Sequence, residues 1–195
     1  GCTRESTVNI LADQNAPTAF SGSETQLTCT NPSVQLNGFG SSSGNGITYQ
    51  WVANPGNIVS GANTLTPVVN AFGYYTLIVT NTANGCTDSD EVFVDDNIIY
   101  PAASIFPPQQ LDCVFETIEL DASGSSGDNL LFTWSPGNLI LSGQGTPNPE
   151  VGQVGNYNLV VTNTENGCTA TASVTVAQDV TPPVAVAVPT ASITC

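Results

Sequence analysis

The sequence predicts an all-β protein of tandem antiparallel β-sandwich modules, about seven strands each, arranged as an extended rod. Three observations lead there. Val, Ile and Thr recur in short alternating runs bounded by Gly, Pro and Asn, which is the vocabulary of strands and turns. No window of about a dozen residues places apolar side chains at helical spacing. The chain also repeats itself: Val79-Thr80-Asn81-Thr82-Ala83-Asn84-Gly85-Cys86-Thr87 returns as Val161-Thr162-Asn163-Thr164-Glu165-Asn166-Gly167-Cys168-Thr169, with one change.

The repeat sets the domain organisation. The opening Gly1-Cys2-Thr3 is the tail of the same motif, so Cys2, Cys86 and Cys168 form one cysteine track and Cys29, Cys113 and Cys195 a second. Pro17, Pro101 and Pro183 keep the register, as do Asp13, Asn97 and Asp179, the pairs Val8/Ile10, Val92/Val94 and Val174/Val176, and Trp51 with Trp134. The expected layout is the last strand of a preceding module over residues 1–13, one module over 14–97, a second over 98–180, and the first strand of a following module over 181–195. A chain cut inside modules in this way reads as a length of a longer array.

Within one copy the elements follow in order. A first strand is expected near Thr18 to Phe20 after a proline-marked linker, then a turn through Thr30-Asn31-Pro32 and a strand from Val34 to Asn37. A Gly/Ser loop covers residues 38–46. Ile47, Tyr49 and Trp51 alternate inward on the next strand, Asn54-Pro55-Gly56 turns, and Ile58 and Val59 form a short strand. Gly73 to Val79 is expected to be the longest strand, with a tight turn at Asn84-Gly85, and Val92 to Val94 closes the module.

Charge and composition exclude several functions. Arg4 is the single basic residue against 16 acids, for a formal net charge of -15, so phosphate backbones and anionic membranes are repelled and nucleic acid is excluded as a partner. Hydrophobic residues make up 40% of the chain, enough to form a core, yet no apolar run is long enough for membrane insertion by this segment. With no His and no Lys, a nucleophile lacks its base, and no enzyme is expected. Acidity keeps a surface polymer soluble, and it also suits divalent cations.

The six cysteines form no CxxC pair and have no His beside them, which favours disulfides in an oxidising, extracellular or cell-surface setting over zinc. Two pairings satisfy the spacing. Cys29 with Cys86 and Cys113 with Cys168 staple each module, each loop contributing on the order of 4 kcal/mol. Cys2 with Cys29, Cys86 with Cys113 and Cys168 with Cys195 weld modules across linkers. The intramodular set is expected, because the other asks distant ends of stacked modules to come within disulfide range.

The set Cys29, Trp51, Gly73-x-Tyr75-x-Leu77-x-Val79 and Asn84-Gly85-Cys86-Thr87, present twice, resembles the Ig-like and PKD-like repeats of large Bacteroidota cell-surface proteins, including gliding-motility adhesins. Asp121-Ala122-Ser123-Gly124-Ser125 is similar to the opening of a PKD module, but Trp134 is followed by Ser135-Pro136-Gly137-Asn138 in place of that family's Phe-Gly-Asp-Gly. The resemblance implies tandem Ig-like (PKD-like) sandwiches and a secreted stalk or filament for adhesion or surface motility. Its motifs specify the fold better than the function.

Candidate sites are few. Trp51 and Trp134 fit the core tryptophan of such a module, and Tyr75 and Tyr157 the tyrosine-corner position. Asp13, Asp95, Asp96 and Asp179 fall at module junctions, and Asp121 and Asp128 flank a Gly/Ser loop, so calcium is a candidate cofactor. The competing reading is that such aspartates satisfy local backbone donors in Asx-turns, and Asn37 standing where the second copy has Asp121 favours it. The expected function is a structural and adhesive repeat whose partners are neighbouring copies of the same module, in a homopolymer or fibre. The alternative is a carbohydrate-binding module that contacts extracellular polysaccharide through loop residues such as Phe39 or Phe115.

Overall fold

The computed structural model of the chain describes residues 1–8, 13–182 and 184. It divides into two compact units, Gly1–Ile99 and Tyr100–Cys195. Each unit is an Ig-like β-sandwich, and no α-helix occurs among the described residues. The expected outer strands lie partly outside the described residues, which omit 9–12, 183 and 185–195; residues 1–8 and 13 form no strand.

The first unit contains β1 (Thr25–Thr28), β2 (Val34–Gln35), β3 (Ile47–Asn54), β4 (Ile58–Ser60), β5 (Val68–Val69), β6 (Gly73–Asn81) and β7 (Thr87–Asn97). One sheet has the order β1-β7-β6-β3 and the other β2-β5-β4. The period-2 pattern decides which side chains meet between them. Tyr49 and Trp51 of β3 pair with Val79 and Leu77 of β6, and Tyr75 pairs with Val92 of β7. Leu27, Leu36 and Val69 complete this core, with Val34, Ile47 and Ile58 partly buried against it. Each fully buried Leu or Val contributes about 1.5–3 kcal/mol relative to exposure.

The second unit repeats this with β8 (Ile118–Glu119), β9 (Leu130–Ser135), β10 (Ile140–Ser142), β11 (Glu150–Val151), β12 (Gly155–Asn163) and β13 (Thr169–Val176). Its sheets are β13-β12-β9 and β10-β11-β8, and a 3-10 turn at Gly137–Leu139 precedes β10. Leu111, Leu120, Trp134, Val151, Tyr157, Leu159, Val161 and Val176 fill its core at positions that answer Leu27, Leu36, Trp51, Val69, Tyr75, Leu77, Val79 and Val94.

Two expectations need correction. Thr18 to Phe20 forms no strand, because its neighbourhood is held mainly by side chains: the N–H groups of Ala19 and Ser21 donate to the carboxylates of Asp88 and Asp90, both at 2.8 Å. The first strand is instead β1, which runs parallel to β7 with Thr25 opposite Val94 and Thr28 opposite Asn97. The longest strand is β7, at 11 residues against 9 for β6.

Gly73 and Gly155 open the equivalent strands β6 and β12 with φ of 142° and 151°, a region costly for other residues. A Cβ on Gly73 would meet the carbonyl oxygen of Pro55, whereas one on Gly155 would have nothing within 4 Å. Gly73→Ala is therefore expected to destabilise the first unit by about 2 kcal/mol or more, and Gly155→Ala to cost the second unit clearly less. Urea unfolding of each variant measures the two effects, and equal losses would count against this packing.

Candidate functional site

The two cysteine tracks lie at opposite ends of a module. Cys86 sits in the β6–β7 turn, where the N–H of Asn81 donates to its carbonyl and its own N–H donates to Asn84 Oδ1 at 2.9 Å. From that turn β7 runs the length of the sandwich, and β1 runs beside it in the same direction, so Cys29 leaves β1 next to the far end of β7. Cys29 follows Thr28, which lies opposite Asn97, so at about 3.3 Å per residue the two cysteines are separated by about 35–40 Å along the strand, against the ~6 Å between Cα atoms that a disulfide permits.

The expected staple Cys29–Cys86 is thus not formed, and neither is Cys113–Cys168. Cys29 and Cys168 are disulfide-bonded, while Cys2, Cys86 and Cys113 carry free thiols. The expectation failed because it brought the first strand's end to the hairpin turn, which an antiparallel first strand would do and a parallel one cannot. Free thiols on Cys2, Cys86 and Cys113 also leave Cys2–Cys29 and Cys86–Cys113 unformed. Cys168–Cys195 lies outside the described residues.

The aspartates proposed for calcium are dispersed. Asp13 Oδ1 accepts the N–H of Asn15 at 3.1 Å, and Asp179 accepts the N–H and the hydroxyl of Thr181 at 2.9 and 2.6 Å. Asp121 accepts the N–H of Ser123 at 2.9 Å, and Asn37 makes the same turn with Phe39 at 2.9 Å. A neutral amide thus serves where the other copy has a carboxylate, which favours the Asx-turn reading. The Thr181 hydroxyl and N–H hold the Asp179 carboxyl below the usual range, and Ser123 does the same for Asp121. Asp95 and Asp96 are consecutive on β7, so their side chains start toward opposite faces; Asp95 Oδ1 accepts the N–H of Asp96. Asp128 is exposed in its loop. Among the described residues no three of His, Cys, Asp and Glu gather to hold a metal.

The aromatic residues have structural roles. Trp51 and Trp134 are 3% and 1% exposed and donate their indole N–H to the carbonyls of Thr64 and Thr146. The Tyr75 and Tyr157 hydroxyls donate to the carbonyls of Ala71 and Gln153, each four residues upstream, in tyrosine-corner fashion. Burial pushes the Tyr157 hydroxyl's pKa up. Phe39 and Phe115 are exposed, as is Tyr74, whose ring packs against Phe93 at a tilt of 46° with centroids 4.8 Å apart.

The polar site that sequence reasoning missed is Asp88 with Asp90. They share the inward face of β7 with Val92 and Val94, toward the turn end, where the segment Ala19–Ser21 crosses them. Ser21 is 1% exposed and donates both its N–H and its hydroxyl to Asp90 Oδ2 at 2.8 Å. The period-2 run Asp88, Asp90, Val92, Val94 was the available signal. The second copy has Ala170 and Ala172 at these positions, so this clamp belongs to the first unit alone.

No family model matches the chain, and no curated protein matches it. Solved structures do. A glutamate-to-alanine variant of three consecutive titin Ig domains aligns with TM-score 0.46 and 14% identity over 84% of this chain and 66% of that one. Extracellular domains 3–5 of Drosophila OTK align with TM-score 0.41 and 16% identity, over 84% and 62% of the two chains. Drosophila N-cadherin EC1-4 aligns with TM-score 0.40 and 12% identity, over 85% and 50%. The chain thus spans about two thirds or less of each of these fragments. No helix among the described residues is long and apolar enough to cross a membrane.

The Ser21 N–H, and after it the Ser21 hydroxyl, hold the Asp90 carboxyl below the usual range. A depressed folded pKa means that the clamp's stabilisation is complete above the unfolded Asp value of about 4 and is lost as pH falls through the folded value. The stability difference between the native chain and Asp90→Asn is expected to be constant near neutrality and to shrink below about pH 4. Urea titrations at stepped pH measure it; a difference that grows on acidification would contradict the clamp.

Proposed function

We propose that this chain is a load-bearing length of an extracellular or cell-surface array, a spacer that carries tension in a stalk or fibre used for adhesion or surface motility. The parallel pairing of β1 with β7 supports this reading best. In such a module the incoming and outgoing strands lie side by side and point the same way. Pulling the chain ends apart then slides one strand along the other and loads all the hydrogen bonds between them together. An antiparallel terminal pair would be unzipped one bond at a time.

Composition fits the same role. Acidic surfaces keep long repeats soluble, disulfides suit an oxidising exterior, and the chain has no His or Lys for catalysis. Its partners in this reading are other modules of the same kind.

The two units should differ in strength. The first has four parallel register pairs, Thr25–Thr28 against Val94–Asn97, whereas in the second the equivalent contact is the single bridge of Leu111 with Gln178. Pulled end to end by single-molecule force spectroscopy under reducing conditions, the chain is expected to unfold in two events, the stronger belonging to the first unit. A glycine insertion in the Ser41–Gly46 loop lengthens only the first unit's extension and so labels its event. Two weak events, or a stronger second unit, would count against a load-bearing role.

A further inference from the structure

The outward face of the four-stranded sheet carries apolar side chains that the core does not use. Alternation along β6 and β7 sends Tyr75 and Val92 inward, and Tyr74 and Phe93, which face each other across the two strands, outward. Their rings are inclined at 46°, and Tyr74 is 48% exposed. Val52 is exposed on the same face of β3. Carboxylates flank the pair. Glu91 and Asp95 lie two residues either side of Phe93 on β7, and Glu24 joins Thr25, Gln26, Phe93 and Asp95 in lining an open groove of about 490 Å³. The side chains that reach these carboxylates are neutral: the Thr76 hydroxyl donates to Glu91 Oε2 at 3.3 Å and the Gln26 amide to Asp95 Oδ2 at 3.5 Å.

The fold does not require this set. At the positions of Tyr74, Phe93, Glu91, Asp95 and Glu24 the second unit has Asn156, Thr175, Ser173, Ala177 and Pro108, yet its core repeats that of the first. Exposed rings flanked by acids are complementary to a cation, which the ring faces and the carboxylates attract together. The 46° inclination denies a flat sugar ring simultaneous stacking on both aromatics, whereas a compact ammonium approaches both. We infer that this face binds lysine side chains of a partner protein. The ammonium sits against Tyr74 and Phe93 between Glu91 and Asp95, and its methylene stem lies along the apolar surface. A second copy cannot be that partner, because the chain has no Lys. A free small molecule needs roughly 70–90% of its surface covered, which an open groove does not provide, so the lysine arrives on a larger molecule whose remainder covers the sheet. This adds a partner of different composition to the neighbouring modules of the spacer reading, and it holds whether or not the chain carries tension.

The test titrates the full chain, labelled with nitrogen-15, with a tetralysine peptide blocked at both ends, at about 0.15 M salt to screen distant charges. Amide shifts are expected to concentrate at Tyr74, Glu91, Phe93 and Asp95 and to leave Asn156, Ser173 and Thr175 unmoved. Tyr74→Asn with Phe93→Thr copies the second unit without changing net charge, and is expected to weaken binding about fivefold or more. Glu91→Gln with Asp95→Asn keeps both rings and is expected to weaken it several-fold; this pair carries the test if loss of the rings unfolds the unit, which the same spectra report. Shifts spread over the acidic residues of both units, unchanged affinity in either folded variant, or tighter binding of a glucosamine tetramer at the same residues would overturn the proposal.

Discussion

The parallel pairing of the first strand with the last is the constraint on which the rest of this structure depends. It fixes the direction in which β1 leaves the linker, and it places the start and finish of a module at opposite ends of the sandwich. Two consequences follow from this one register. Tension applied to the two ends of such a module would load the β1–β7 ladder in shear, and the two cysteine tracks are held about 35–40 Å apart, so that neither can close on the other inside a module.

The two units share a core and differ at the edges. Tyr, Leu, Val and Trp recur at equivalent buried positions, because the inner faces of a two-sheet sandwich leave little freedom in volume. The linker side has more freedom. In the first unit Asp88 and Asp90 supply acceptors for the donors of Ala19 and Ser21. In the second, the equivalent stretch is held by a backbone bridge between Ala102 and Ser126, with N–H···O distances of 2.8 and 3.0 Å in the two directions. A buried donor needs an acceptor, but side chain and backbone serve equally well.

Much of the fold was legible in the sequence. The run Ile47, Tyr49, Trp51 and the run Tyr75, Leu77, Val79 announce their faces by alternation alone, and the repeat located two cores. Strand direction was not legible. Thr25-Gln26-Leu27-Thr28 offers one apolar side chain, too little pattern to mark a strand, and composition does not say whether a strand runs with or against its neighbour. The wrong cysteine pairing came from that gap. The aspartates misled for a different reason: six acids at junctions and loops resemble a ligand set in one dimension, yet most of them cap the backbone N–H one or two residues further on.

Direction of the first strand is therefore the claim to measure. Spin labels on Cys86 and on an introduced Gln26→Cys, with Cys2 and Cys113 replaced by Ser, report the distance between the turn and the strand that pairs with Asp95. Parallel pairing puts those backbone positions about 25–30 Å apart along β7. A pulsed electron-resonance distance in that range is the predicted result; one under about 15 Å would mean that the first strand ends beside the turn, contradicting both the load path and the separation of the cysteine tracks.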